Sequence, residues 1–184
     1  IVVEFGVRWG KNMALFSSFR GMYEPYNYTR KIVGFDTFSG FPSVSDKDGE
    51  DEITHVGAYS VAPNYETYLA SVLDYHQAES PLGHIQKYEL VKGYAVVTLE
   101  KYLLENPETI IALAYFDFDV YEPTKKCLEL IMGYVTKGSV IGFDELNCPA
   151  FPGETQAVKE VLGLGRYAIR RDSLEPWPSY IVVD

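Results

Sequence analysis

The chain has 184 residues, 47% of them apolar, which is enough for one domain with a sizeable core and too apolar for a disordered chain. Its net charge of −10 and pI of about 4.8 argue against a partner bound through a nucleic-acid backbone and against an anionic membrane surface. No run is long and apolar enough to span a bilayer, and no signal peptide is visible.

The predicted elements alternate along the chain. Ile1–Phe5 reads as a strand, Gly6–Gly10 as a tight turn, and Asn12–Tyr23 as a helix with Met13, Leu15, Phe16 and Phe19 among its apolar positions. Lys31–Asp36 is a second strand, ending in acid. The stretch from Thr37 to Pro63 is rich in Gly, Ser, Asp and Pro and shows little apolar patterning. Long loops of this kind in compact domains are often lids, so residues 37–63 are expected to form one. Tyr65–His76 has helical periodicity through Tyr65, Leu69, Val72 and Leu73. Tyr88–Gly93 is a third strand and turn, Thr98–Glu105 a helix ended by Asn106-Pro107.

Two apolar runs then end in acid: residues 112–117, continued by Phe118-Asp119, and residues 139–144, continued by Glu145. Between them Glu122–Val135 repeats its apolar residues at helical spacing, with Pro123 in the first turn and Gly138 as a stop. Strand, helix and strand make a right-handed crossover, which brings both acidic ends to one rim of a parallel sheet. Thr155–Leu162 is a further helix, and Tyr167–Arg171 and Ser179–Val183 are late strands. The pattern predicts a doubly wound α/β fold in a single domain over residues 1–184. The chain opens inside a strand without an initiator Met, so further N-terminal residues are expected. Cys127 and Cys148 make no disulfide framework or zinc pattern, which points to a reducing cytoplasm.

Three constellations could carry chemistry. Glu4, Gly6 and Gly10 follow the first strand, where glycines let the backbone approach a ligand. The alternative is an ordinary strand-to-helix turn. Asp36 ends the second strand, well placed to accept from the two hydroxyls of a ribose. The alternative is a solvated acid or a helix cap. Asp117, Asp119, Asp144 and Glu145 gather carboxylates on one rim, which suggests a hard divalent cation such as Mg²⁺. The alternative is one cap for the helix at Pro123 and solvated neighbours. His55, His76 and His84 are scattered and read as surface residues, while Tyr59, Tyr65 and Trp177 could line a substrate pocket.

Assembled in order, Val3–Gly10, Gly34-Phe-Asp-Thr-Phe-Ser-Gly-Phe-Pro42, Val91–Gly93, Tyr115-Phe-Asp-Phe-Asp-Val-Tyr-Glu-Pro-Thr124, Phe143–Glu145 and Phe151–Glu154 resemble the macrocin O-methyltransferase family of class I S-adenosylmethionine-dependent enzymes. The likeness extends to nucleotide-deoxyhexose 3-O-methyltransferases of the calicheamicin type, which act on a rhamnose-like sugar. It implies a Rossmann-like, mostly parallel seven-stranded sheet with an antiparallel last strand. It implies S-adenosylmethionine held by Glu4, Gly6, Gly10, Asp36 and Gly93, Mg²⁺ held by Asp117, Asp144 and Glu145, and Asp119 as general base. It further implies a cytoplasmic enzyme of natural-product (antibiotic) biosynthesis, a homo-oligomer, with a sugar or sugar-nucleotide acceptor and neither nucleic-acid nor membrane partners. The chain departs from the pattern at Val120, where some relatives carry His, at Tyr94, where many class I enzymes carry an acid, and at Glu145, where relatives carry Asp or Asn. Two other classes stand beside this reading. A nicotinamide-dependent oxidoreductase would need a three-glycine fingerprint that is missing. A non-catalytic cofactor-binding regulator would not need acids at both strand ends.

Overall fold

The structure is a computed structural model describing residues 1–184. Its strands are β1 (Val2–Phe5), β2 (Ile32–Asp36), β3 (Tyr88–Lys92), β4 (Ile111–Phe116), β5 (Val135–Phe143), β6 (Arg170–Arg171) and β7 (Ser179–Val182). Its helices are α1 (Lys11–Tyr23), α2 (Tyr65–Glu79), α3 (Ala95–Glu105), α4 (Tyr121–Ile131) and α5 (Pro152–Val161). The seven strands form one sheet in the order β3-β2-β1-β4-β5-β7-β6. Pairing from β3 through β5 is parallel, and β7 runs antiparallel between β5 and β6. This is the Rossmann-like sheet expected. Its order reverses between β1 and β4, where open α/β sheets leave a crevice at the carboxyl ends of their strands.

An aromatic row fixes the register of that crevice. Phe35, Phe5, Phe116 and Phe143 are directly paired across β2, β1, β4 and β5. All four are fully buried. Their ring centroids are 5.6, 4.6 and 5.5 Å apart in turn. Burying four rings in contact is worth several kcal/mol, because each removes roughly 150–250 Å² from water. A one-residue slip would turn this row out of the core.

Local differences from expectation have identifiable causes. Val135 is not the last turn of α4. The helix ends at Ile131, and Val135 opens β5 by pairing with Ile111. The ladder then slips between Ile111 and Leu113. Gly138 is therefore a strand bulge rather than a helix stop, with φ 90° and its N–H bonded to Val183 O at 2.7 Å. Buried Ser139 satisfies the bulge, accepting from Thr136 N and donating to Ile111 O. The late strand expected over 167–171 shrinks to Arg170–Arg171. Helices α3 and α5 begin three residues earlier than periodicity suggested, at Ala95 and Pro152.

Residues 37–63 are a loop apart from a short 3₁₀ turn at Asp46–Asp48. Contrary to the expectation of little apolar patterning, Phe38, Phe41 and Ala58 are buried. Phe41 and Ala58 pack with Val120, Cys148 and Phe151. The loop closes on itself where Phe41 N–H donates to Ala58 O and Gly57 N–H donates to Phe41 O. Asp48 pins its middle. That buried carboxylate accepts from Ser45 N at 2.6 Å, Ser45 Oγ at 2.8 Å and Tyr121 N at 2.5 Å. Val120 supplies no side-chain cap to α4, so Asp48 caps that helix from 73 residues away. Asp48→Ala is expected to lower stability by roughly 1.5–3 kcal/mol, since two part-buried N–H groups lose a charged acceptor. A denaturant midpoint equal to wild type would show the anchor to be unimportant.

Candidate active site

The residue after each phenylalanine of the aromatic row faces the crevice. Asp36 follows Phe35, Gly6 follows Phe5, Asp117 follows Phe116 and Asp144 follows Phe143. Parallel register thus converts three Phe-Asp pairs and one Phe-Gly pair, far apart in sequence, into one line of functional groups. Gly6 has no alternative at its position. A Cβ there would lie 1.9 Å from the Asp117 carbonyl oxygen, and φ is +91°.

A cavity of about 260 Å³ lies over this line and is lined by Gly6, Asp36, Gly93, Asp117, Asp119, Asp144 and Glu145, with Tyr59 and Tyr94. Seven of the nine predicted site residues therefore share one cavity. Glu4 lines a second, adjoining cavity of about 500 Å³ that also holds Trp177. Gly10 lines neither. Its Cα faces Leu69 of α2, where a Cβ would fall 2.2 Å from Leu69 Cδ1. The missing Cβ there serves the α1–α2 contact. Tyr65 is also outside both cavities and bonds Trp9 O through its hydroxyl.

Asp36 is more committed than a free ribose acceptor. Its Oδ2 accepts from Val7 N and Arg8 N, both at 2.7 Å, and its Oδ1 accepts from Phe38 N at 2.5 Å. It thereby ties the turn after β1 to the start of the long loop. Glu4 is buried at the end of β1, and its Oε2 has no partner in the fold. Burial, then the nearby charge of Asp117, pushes its carboxyl well above the usual range.

The four predicted acids repel one another. Burial, followed by the charges of Asp144, Asp119 and Glu145, raises the Asp117 carboxyl, and Arg8 only partly offsets this. Burial, then Glu145 and Asp144, pushes Asp119 up to about 7. Asp119 holds φ at +63°, a left-handed conformation that Asp tolerates better than most residues. Burial also raises Glu145, whose Oε2 has no partner. No three acidic, histidine or cysteine side chains enclose a point at metal-ligand spacing in this arrangement. The chemistry of the set still fits Mg²⁺: all donors are carboxylate oxygens, they face one cavity, and their mutual repulsion is what a dication relieves.

Three supporting residues escaped the sequence reading. Glu154 is fully buried on α5 and accepts Glu145 N–H at 2.9 Å. The signal was an acid on the same helical face as buried Ala157 and Val158. Tyr115 donates its hydroxyl to Asp144 Oδ1, and burial and that carboxylate push its own ionisation far up. Arg8 lines both cavities and is the only basic residue in either lining besides Lys11.

Neither a protein-family model nor a curated protein matches the chain. Among solved structures, the chain is similar to "CalS11, Calicheamicin Methyltransferase", at 48% identity and TM-score 0.96, over 98% of this chain and 71% of that one. It is similar also to the apo structure described as "CalS11, TDP-rhamnose 3'-o-methyltransferase, an enzyme in Calicheamicin biosynthesis", at 44% identity and TM-score 0.85, over 98% and 70%. The O-methyltransferase NovP shares the fold at 16% identity and TM-score 0.70, over 99% and 71%. No helix of the chain is long and apolar enough to cross a membrane. With the sheet, the glycine turn and the acid line arranged as described, identity of this extent places the chain in the macrocin-type family of sugar O-methyltransferases that includes CalS11, and makes it an S-adenosylmethionine-dependent O-methyltransferase.

Proposed function

We propose that the chain methylates a sugar hydroxyl of a nucleotide-linked deoxysugar, with Asp119 as general base and Mg²⁺ held by Asp117, Asp144 and Glu145. The observation that supports it best is the shared cavity, where the turn after β1 and Asp36 meet four carboxylates at the switch point of the sheet. The nucleotide-sugar acceptor follows from the likeness to an enzyme described as a TDP-rhamnose 3'-O-methyltransferase.

A sugar hydroxyl is a poor nucleophile while it keeps its proton. Asp119 is buried beside Glu145 and Asp144; burial and their charges raise its carboxyl and make it a stronger proton acceptor than a free carboxylate. Asp117 and Asp144 line both cavities, and in this reading they hold the acceptor oxygen against the methyl donor. A bound Mg²⁺ would supply a lower pKa for a hydroxyl it polarises. Glu154 holds the Glu145 backbone, and Tyr115 holds the Asp144 carboxylate. Gly6 lines the cavity, and Asp36 positions its turn through the Val7 and Arg8 N–H groups and the start of the long loop through Phe38 N–H. Incubation with methyl-labelled S-adenosylmethionine and TDP-rhamnose should give one mono-O-methylated sugar nucleotide by mass spectrometry and NMR. Label found only on a sugar already joined to an aglycone would overturn the acceptor assignment.

Asp36→Ala should weaken S-adenosylhomocysteine binding by roughly 1.5–3 kcal/mol, the range for hydrogen bonds to a charged group. Calorimetry checks this, and near-normal affinity would remove Asp36 from the cofactor site. Residues 37–63 serve in this reading as a lid, since Thr37, Gly40, Phe41, Pro42 and Tyr59 line the first cavity and closure would exclude water. Proteolysis within residues 50–56 should slow when S-adenosylhomocysteine and acceptor are both bound. Equal cleavage with and without ligands would leave only a surface loop.

A further inference from the structure

We infer that the second cavity, between the start of α1 and the turn before β7, binds the nucleoside diphosphate end of the acceptor, with Arg8 and Lys11 on the diphosphate and Trp177 against the base. The inference rests on the reading of the acceptor as a sugar nucleotide. The two cavities adjoin at Arg8, Asp117 and Asp144. A sugar hydroxyl held at that junction leaves the remainder of its molecule in the second cavity, which at about 500 Å³ is the roomier of the two.

The charge distribution agrees. The chain carries a net charge of −10, and four carboxylates crowd the junction. A dianionic acceptor therefore needs local cations. Arg8 and Lys11 both line the second cavity, and neither appears in any of the six ion pairs of the fold. Arg8 is held ready. Its backbone sits at φ +46° with its N–H on Asp36, and its guanidinium lies 4.3 Å from the Tyr59 ring centroid. A guanidinium stacked on a ring keeps its N–H edges free to fork onto phosphate oxygens. Lys11 begins α1, whose own first turn holds no acid and whose Gly10 cap offers no side chain; the Glu4 carboxyl reaches that helix end through Asn12 and the Met13 backbone. The acids that also line the cavity are Glu4 and Glu175, besides the shared Asp117 and Asp144. Arg8 and Lys11 are the lining groups whose charge can offset these acids for a bound diphosphate.

The aromatic complement is unusual for so acidic a chain. Its two tryptophans, Trp9 and Trp177, both line this cavity. They are 49% and 40% exposed, so broad ring faces stay open to a ligand. Bases stack on such faces with little dependence on sequence. Trp177, beside Pro178 at the end of the turn before β7, lines the same cavity as the two cations.

The test uses thymidine 5′-diphosphate and the full chain saturated with S-adenosylhomocysteine, read by calorimetry and tryptophan fluorescence. Wild type should bind the diphosphate with quenching, and thymidine without phosphates much more weakly. Arg8→Gln and Lys11→Gln should each weaken diphosphate binding on the order of tenfold or more, as for hydrogen bonds to charged groups. Their affinity for S-adenosylhomocysteine should stay within about threefold of wild type. Trp177→Phe should remove most of the quench. No diphosphate binding by wild type, or unchanged affinity in both Gln variants, would overturn the inference. So would a loss of S-adenosylhomocysteine affinity in place of diphosphate affinity, which would give the two cations to the cofactor's carboxylate instead. Methylation of TDP-rhamnose with an unaltered KM in both variants would defeat this subsite alone. Absence of any methylation of TDP-sugars by wild type would defeat the acceptor reading beneath it.

Discussion

Asp119→Asn is expected to lower the rate of methyl transfer on the order of 10²–10⁴-fold, the usual contribution of a general base. The substitution removes little else. Asn accepts the left-handed backbone that Asp119 holds at φ +63°, and it has nearly the same volume. Asp119 takes part in no side-chain hydrogen bond of the fold, so no neighbour is left unpaired. Removing one charge from a crowded group of acids should leave the folded state as stable or slightly more so, because burial and the charges of Glu145 and Asp144 disfavour its ionised form. The measurement is single-turnover methylation with saturating cofactor, beside a thermal melt and a titration with S-adenosylhomocysteine. Normal folding and normal cofactor affinity with a rate two or more orders down are the expected set. A rate within tenfold of wild type would take the proton-accepting role from Asp119.

The sequence made the line of functional groups legible because each acid follows an apolar strand. Phe35-Asp36, Phe116-Asp117 and Phe143-Asp144 are local signals, and parallel topology with direct pairing of the phenylalanines aligns them. What sequence could not show is where neighbouring elements approach. Gly10 has the spacing of a ligand-binding turn, yet its missing Cβ makes room for Leu69 of α2. That contact depends on how α1 and α2 cross. Val135 carries a helical period, but tertiary pairing with Ile111 takes it into β5. The loop from Thr37 to Pro63 looked featureless because its anchor, Asp48, finds its partner at Tyr121. Arg8 carries no local signal within the Gly6–Gly10 turn. Only the folded chain sets it between two cavities, with Asp36 holding its backbone and Tyr59 its side chain.

Removal of divalent metal should abolish turnover, and added Mg²⁺ should restore it. The ground is electrostatic. Asp117, Asp119, Asp144 and Glu145 line one cavity of about 260 Å³, and the charges of its neighbours raise Asp117 after burial does. Arg8 is the one nearby cation that counters this. An arrangement of this kind costs the empty fold stability, and a ligand that binds only the folded form returns it by mass action. Mg²⁺ should therefore raise the melting temperature of the chelated protein in proportion to the logarithm of its concentration above Kd, independently of activity. Asp117→Asn should weaken that effect by removing a charged ligand while keeping an oxygen donor, so that turnover returns in part at high Mg²⁺. Asp119→Asn should keep a larger thermal shift than Asp117→Asn, losing one nearby charge but no ligand, and gain nothing in rate from excess metal. The two variants thus separate ion binding from proton transfer. If excess Mg²⁺ rescues Asp119→Asn and leaves Asp117→Asn inert, the two roles are exchanged. If exhaustively chelated enzyme turns over at the wild-type rate and melts at the same temperature with or without Mg²⁺, the acids act without a metal, and the proton acceptor must work on a hydroxyl that no cation polarises.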